Sequence, residues 1–294
     1  MRCLDLKQVI KTISEETFYG KVPLHQIVYS FIVRDFKIWW TYKLWVTLDI
    51  SSIILLVATY YLFSLIASPQ QVQSAGYTTG GYFTFALVGI AFQQYISSAV
   101  QNINQSIRDE QWNGTMETLL SSSTDFNVFL LGETCFSFIV SSAFLITALS
   151  IGLLLGAQFH VTPASILSVM VLSALLVSSH IVVGVLNAGI VMKIKQGNPL
   201  TMAFSWITQL VSGVFYPLKL LPCYLEWIGR IFPLTYSLDG IRLCLQAGQD
   251  LSSPAVLNDI INLVIFMILA TPIALYVFKL GYDAARKDGS LGEY

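Results

Sequence analysis

Arg108-Asp-Glu-Gln-Trp-Asn-Gly-Thr-Met-Glu-Thr-Leu-Leu120 is a short charged, amphipathic stretch set between two long apolar runs. Only 11% of the 294 residues are charged. Arg108, Asp109, Glu110 and Glu117 clustered between candidate membrane spans therefore describe a helix on the membrane surface that a soluble partner would grip. The flanking runs decide the fold class. Hydrophobic residues make up 55% of the chain and mean hydropathy is +0.67, well above soluble-domain usage. A span needs ~20 apolar residues to cross the hydrocarbon core. Six runs qualify as spans: residues 45–67, 82–103, 128–156, 164–192, 200–216 and 256–280, the fifth being the shortest. The prediction is an all-α polytopic membrane protein with six transmembrane helices. The first ~20 residues are charged and lack a compact apolar core with a small-residue cleavage site, so no cleavable signal peptide is expected.

Orientation follows from where lysine and arginine fall. Arg2, Lys7, Lys11, Lys21, Arg34, Lys37, Lys43, Arg108, Lys193, Lys195, Lys279, Arg286 and Lys287 share one predicted face; Lys219, Arg230 and Arg242 share the other. The expected result is a plasma (inner) membrane protein with both termini cytoplasmic. The net charge of −1 hides this asymmetry and gives no reason to expect nucleic acid. Asn113-Gly-Thr115 matches a glycosylation acceptor, but on this topology it is cytoplasmic and stays unmodified.

Residues 1–43 read as a cytoplasmic arm followed by an interfacial amphipathic helix, and residues 44–294 as the membrane domain. Pro23 opens the helix, Ile27, Val28, Phe31, Ile32, Phe36, Trp39 and Trp40 recur at helical spacing, and Arg34, Lys37 and Lys43 sit near the phosphates. The competing reading makes this stretch the start of the first span. Within the second span runs a polar line, Gln93, Gln94, Ser97, Ser98, Gln101 and Asn102, which faces protein or water rather than lipid. It lines a path or bonds helices together; Gln93, Gln94 and Ser97 are the path candidates. Gly152 and Gly156 have the spacing of a helix-packing pair, a weak signal. The segment 217–253 is expected to be external. Leu221 just before Pro222, and Tyr224, Trp227 and Phe232 between Pro222 and Pro233, fall in a helical pattern too short to cross. That suggests a re-entrant or interfacial hairpin before the last span, with those four side chains forming an apolar gate.

Two segments resemble one family. Glu110-x3-Gly114-Thr115-x-Glu117-x-Leu119-Leu120 is similar to the cytoplasmic loop motif of ABC-2 type transporter permeases. Gly213-Val-Phe-Tyr-Pro217, Leu221-Pro222 and Pro233-Leu-Thr235-Tyr236 with Asp239 and Arg242 resemble that family's signature before the last span. One departure is Ser123, where the family motif commonly has proline. The resemblance implies an exporter of an amphipathic substrate (a drug, lipid or lipid-linked glycan) that works as a dimer of permeases, here a homodimer, above two ATP-binding subunits. Residues of about 106–125 would form the coupling helix. Glu110 and Glu117, seven residues apart, would lie on one helix face toward basic groups of the ATPase. Gly114 would permit close approach, Thr115 belongs to the same ATPase-coupling motif, and Leu119 and Leu120 would anchor the helix to the membrane domain. No G-x4-G-K-[ST] phosphate loop occurs in this chain, so ATP and Mg are expected only in the partner subunit, with no cofactor, catalytic residue or metal site here.

Two other classes compete. An ion-coupled carrier needs ionisable groups inside the membrane, and Asp49, Glu133 and His180 are the candidates. A lipid-modifying enzyme needs clustered acids or metal ligands, but His25, His160 and His180 lie in separate segments. Cys3, Cys135, Cys223 and Cys244 form no metal-spaced set. Cys223 and Cys244 share the predicted external segment, where a disulfide is permitted; two unpaired thiols are the alternative.

Overall fold

The computed structural model describes residues 23–66, 81–112, 126–194 and 197–287, and every regular element among them is helical. In chain order these are α1 (Leu24–Thr41), α2 (Lys43–Ile66), α3 (Gly81–Trp112), α4 (Phe126–Leu154), α5 (Pro163–Ile194) and α6 (Gly197–Val211). A 3₁₀ turn (Leu218–Leu220) then precedes α7 (Cys223–Gly229), α8 (Pro233–Gln246) and α9 (Pro254–Lys287).

Among the described residues, four stretches can cross a membrane by length and composition: Lys43–Ile66, Leu131–Leu154, Pro163–Asn187 and Pro254–Gly281. The predicted second span falls within α3, which is long enough but turns polar from Gln93 onward. The predicted fifth falls on α6, whose fifteen residues rise only about 22 Å. Its end has a local cause: Gly213 takes φ 75°, a left-handed conformation glycine adopts without a Cβ clash. At the N-terminal side, Tyr42 at φ −89°, ψ 65° separates α1 from α2. The amphipathic stretch is thus a helix of its own and not the start of the first span.

The chain divides into two compact units. One gathers α1, the end of α3 from Asn102 and the start of α4 as far as Ser137. Here Gly132 lets α1 come close, since a Cβ at that position would lie 2.7 Å from Phe31 Cβ. Arg34 donates to Glu133 at 2.6 Å and to Asp35 at 2.7 Å, and both carboxylates are buried. Its guanidinium carbon also sits 5.0 Å from the Phe31 ring centre.

The other unit holds the remaining helices around two apolar clusters, one of them built on α5, α8 and α9 and the other on α2, α3 and α4. Leu172 and Leu176 of α5 meet Leu238 and Ile241 of α8, with Val256 and Leu263 of α9 closing the cluster. α5 and α9 run along each other, and α8 packs on both. A Cβ at Gly189 would fall 2.6 Å from Phe278 Cα, and one at Gly281 would strike the Gly189 carbonyl. These two helices therefore touch backbone to backbone. Pro272 lies inside α9, where it has no N–H to give the preceding turn; beside it Thr271 Oγ1 donates to the Met267 carbonyl at 2.6 Å. Of the glycine pair in α4's run, only Gly152 is a packing residue, seated against Leu87 of α3. Gly156 lies past the helix end at φ 97°.

Candidate functional site

Proline opens each short helix of the segment after α6. Pro217 precedes the 3₁₀ turn, Pro222 caps α7 and Pro233 is the first residue of α8; the missing proline N–H would be unpaired at a helix start anyway. The expected single helix between Pro222 and Pro233 is shorter than its pattern, ending at Gly229. It stops where the backbone of Gly229 meets the Val211 carbonyl at the end of α6, and Thr235 Oγ1 donates to the Gly229 carbonyl at 2.6 Å. The larger member of the pair is α8, fourteen residues with most of its surface buried. Leu221 and Phe232 are half-buried. Tyr224 and Trp227, by contrast, are 67% and 70% exposed, so the described residues leave the outer face of α7 open. Cys223 is an exposed free thiol and Cys244 a buried one, and no disulfide joins them.

The signature residues converge on a buried arginine. Arg242, 2% exposed, donates from Nε to the Phe85 carbonyl at 3.2 Å, from Nη1 to Gly213 O at 2.8 Å and from Nη2 to Val214 O at 2.9 Å. Its guanidinium carbon lies 3.5 Å from the centre of the Phe85 ring. Gly89, one turn further along α3, makes the space: a Cβ there would strike Arg242 Nη2 and the Val214 carbonyl. The planar five-donor fork suits this arrangement of carbonyls over an aromatic face. Leaving such a charge buried without acceptors would cost several kcal/mol. Gly213, Pro217, Pro233, Thr235 and Arg242 thus belong to one packed turn around the end of α6. Tyr236 and Asp239 lie half-buried on α8, and Pro222 is exposed.

Along α3 the polar line makes one bond within the helix and one to α6. Gln93 Nε2 donates to Ser97 Oγ at 3.1 Å, and Gln209 Nε2 of α6 donates to Gln93 Oε1 at 3.0 Å. Gln94 is exposed. Of the loop motif, Glu110 lies in the last turn of α3; Gly114, Thr115, Glu117, Leu119 and Leu120 lie outside the described residues, as does most of the segment 106–125.

Two groups, Gln209 and Asp259, and one pairing, that of Glu133, escaped sequence reading. Gln209 was unremarked within a short apolar run, and its partner lies 116 positions away. Glu133 is 3% exposed and tied to Arg34, a pairing that residue spacing does not reveal. Asp259 is 5% exposed in α9, its Oδ2 has no hydrogen-bond partner, and Asp239 lies close enough to repel it. The signal was available: a lone acid near the start of an apolar 20-mer. Gln246 is buried as well, with neither side-chain polar atom partnered. Ahead of α9, Ser252 donates from its side chain and backbone to Asp250, and these bonds hold that carboxyl below the usual carboxylate range. His180 Nδ1 lies 2.8 Å from the Leu176 carbonyl of its own helix, the hydrogen-bonded structural arrangement. Among the described residues no three His, Cys, Asp or Glu side chains are grouped to hold a metal.

A comparison with curated proteins returns no match. The model of the ABC-2 type transporter family matches residues 26–245, from α1 through α8, which is well over half of the chain and includes both the loop motif and the signature around Arg242. The chain belongs to the ABC-2 type transporter family, a family of membrane components of transport systems.

Proposed function

We propose that this chain is the permease of an ATP-driven exporter: six spans, both termini cytoplasmic, paired as a homodimer above two ATP-binding subunits that dock on the segment of about 106–125. The observation that carries the reading is the family match across residues 26–245, which includes Glu110-x3-Gly114-Thr115-x-Glu117 at the end of α3. In that reading α6 is a short fifth span, and the segment 217–253 caps the pathway on the far side. The exposed Tyr224 and Trp227 provide apolar surface for lipid or for the second protomer. The cargo is amphipathic, as the family resemblance implies, and the membrane helices that carry it hold few charges. Glu133 counts against an ion-coupled carrier, being engaged by Arg34.

The test is co-purification followed by coupled hydrolysis. An ATP-binding subunit is expected to purify with the tagged permease, and Glu117→Arg is expected to lower transport-linked ATP hydrolysis while membrane insertion stays intact, since charge reversal replaces attraction by repulsion. Stoichiometric ATP binding by the isolated permease would overturn the reading.

A further inference from the structure

We propose that Arg242 is a positioning residue that fastens α3 to the segment beyond α6, so that displacement of α3 at its Trp112 end is delivered to residues 213–246. The proposal rests on the reading above, in which the ATPase acts at the loop following α3.

The geometry supports a fastening more specific than ordinary core packing. α3 is a single helix from Gly81 to Trp112, about 48 Å long at 1.5 Å per residue. Near its start, the Phe85 ring, the Phe85 carbonyl and the gap at Gly89 together form a socket, and the guanidinium of Arg242 fills it. The same guanidinium holds the carbonyls of Gly213 and Val214, the turn where α6 ends and the segment carrying α7 begins. One side chain from α8 therefore bonds α3 and the α6 exit turn at once. Apolar contacts tolerate sliding, since they are non-directional. Three directed bonds from a planar group do not, and a buried charge that left its acceptors would lose several kcal/mol. Lysine would keep the charge but offers no planar fork to reach both segments.

The test uses the permease co-expressed with its ATPase, with Cys3 and Cys135 replaced by serine so that the exposed thiol of Cys223 reports on α7. Labelling of Cys223 by a membrane-impermeant maleimide is followed with and without ATP. In the parent protein the labelling rate is expected to change with nucleotide. Arg242→Lys, and independently Gly89→Ala, which leaves the arginine in place but fills its socket, are expected to abolish that change while ATP hydrolysis by the bound subunit persists. A nucleotide-dependent change that survives in both variants overturns the proposal alone. Variants that no longer assemble with the ATPase give Arg242 a purely structural role and overturn it as well. If the parent itself shows no change, or no ATPase purifies with it, the functional reading fails and takes the proposal with it.

Discussion

Arg34 Nη2 reaches Glu133 Oε1 over 2.6 Å although the two residues stand 99 positions apart. It joins the amphipathic helix α1 to the start of α4, where Glu133 is 3% exposed. A carboxylate taken out of water in this way needs its cation. Breaking a fully buried pair costs about 3–5 kcal/mol, and the side chain of Arg34 keeps 36% exposure, which weakens the effect. We expect Arg34→Leu to destabilise the purified protein by ~2 kcal/mol and the double variant Arg34→Leu/Glu133→Leu by less than the single one. Thermal unfolding in detergent checks the order. A double variant less stable than the single would mean that Glu133 has another essential partner.

Gly189 and Gly184 share α5 and face opposite outcomes. A Cβ at Gly189 would lie 2.6 Å from backbone atoms of Phe278, whereas one at Gly184 would meet nothing within 4 Å. Gly189→Ala is expected to cost ~1–3 kcal/mol by forcing α5 and α9 apart. Gly184→Ala should be neutral or stabilising by up to ~1 kcal/mol through helix propensity. Melting temperatures of the two variants read the difference directly.

Asp259 is a buried acid with one oxygen unpartnered and Asp239 nearby. Replacing it with the neutral isostere removes a charge that burial disfavours, at almost constant volume. Asp259→Asn is expected to fold and to melt no lower than the parent, unlike most substitutions at a buried polar site. A loss of more than ~2 kcal/mol would show that the carboxylate itself has a partner that holds the helices together.

Topology is open to direct chemistry. A cysteine in place of Glu226, on α7, is expected to react with an impermeant thiol reagent from outside the cell, whereas one in place of Glu117 should react only after the membrane is opened. Labelling of the Glu226 position from the cytoplasmic side would invert the orientation and the functional reading with it.

Much of the architecture was legible because a membrane imposes long apolar runs and proline punctuates backbone locally. Pro23, Pro222 and Pro233 each stand where a helix begins. Less legible was a contact between segments: the Gly229 backbone at the end of α7 lies against the Val211 carbonyl at the end of α6, whereas the stop itself has a sequence signal in Gly229 followed by Pro233, which cannot donate to the Gly229 carbonyl. α6 was overrun at its C-terminal end because the apolar pattern continues through Val214 and Phe215 beyond the turn at Gly213. The partners of Arg242 were hidden for a different reason. They are backbone carbonyls, which every residue carries, so residue type does not distinguish Phe85, Gly213 and Val214 as acceptors. Gln93 and Gln209 do have recognisable side chains, yet pairing across 116 positions depends on how α3 and α6 come together.

α9 is held at two places, beneath α8 near Asp259 and against Gly189 at Gly281, with Pro272 between them. Because proline gives nothing to the Ile268 carbonyl and the Thr271 hydroxyl shares the Met267 carbonyl one step away, the ladder is thinnest in that turn. That turn is where the backbone ladder of the last helix is weakest, and it is the place in α9 where a change of helix direction would cost least.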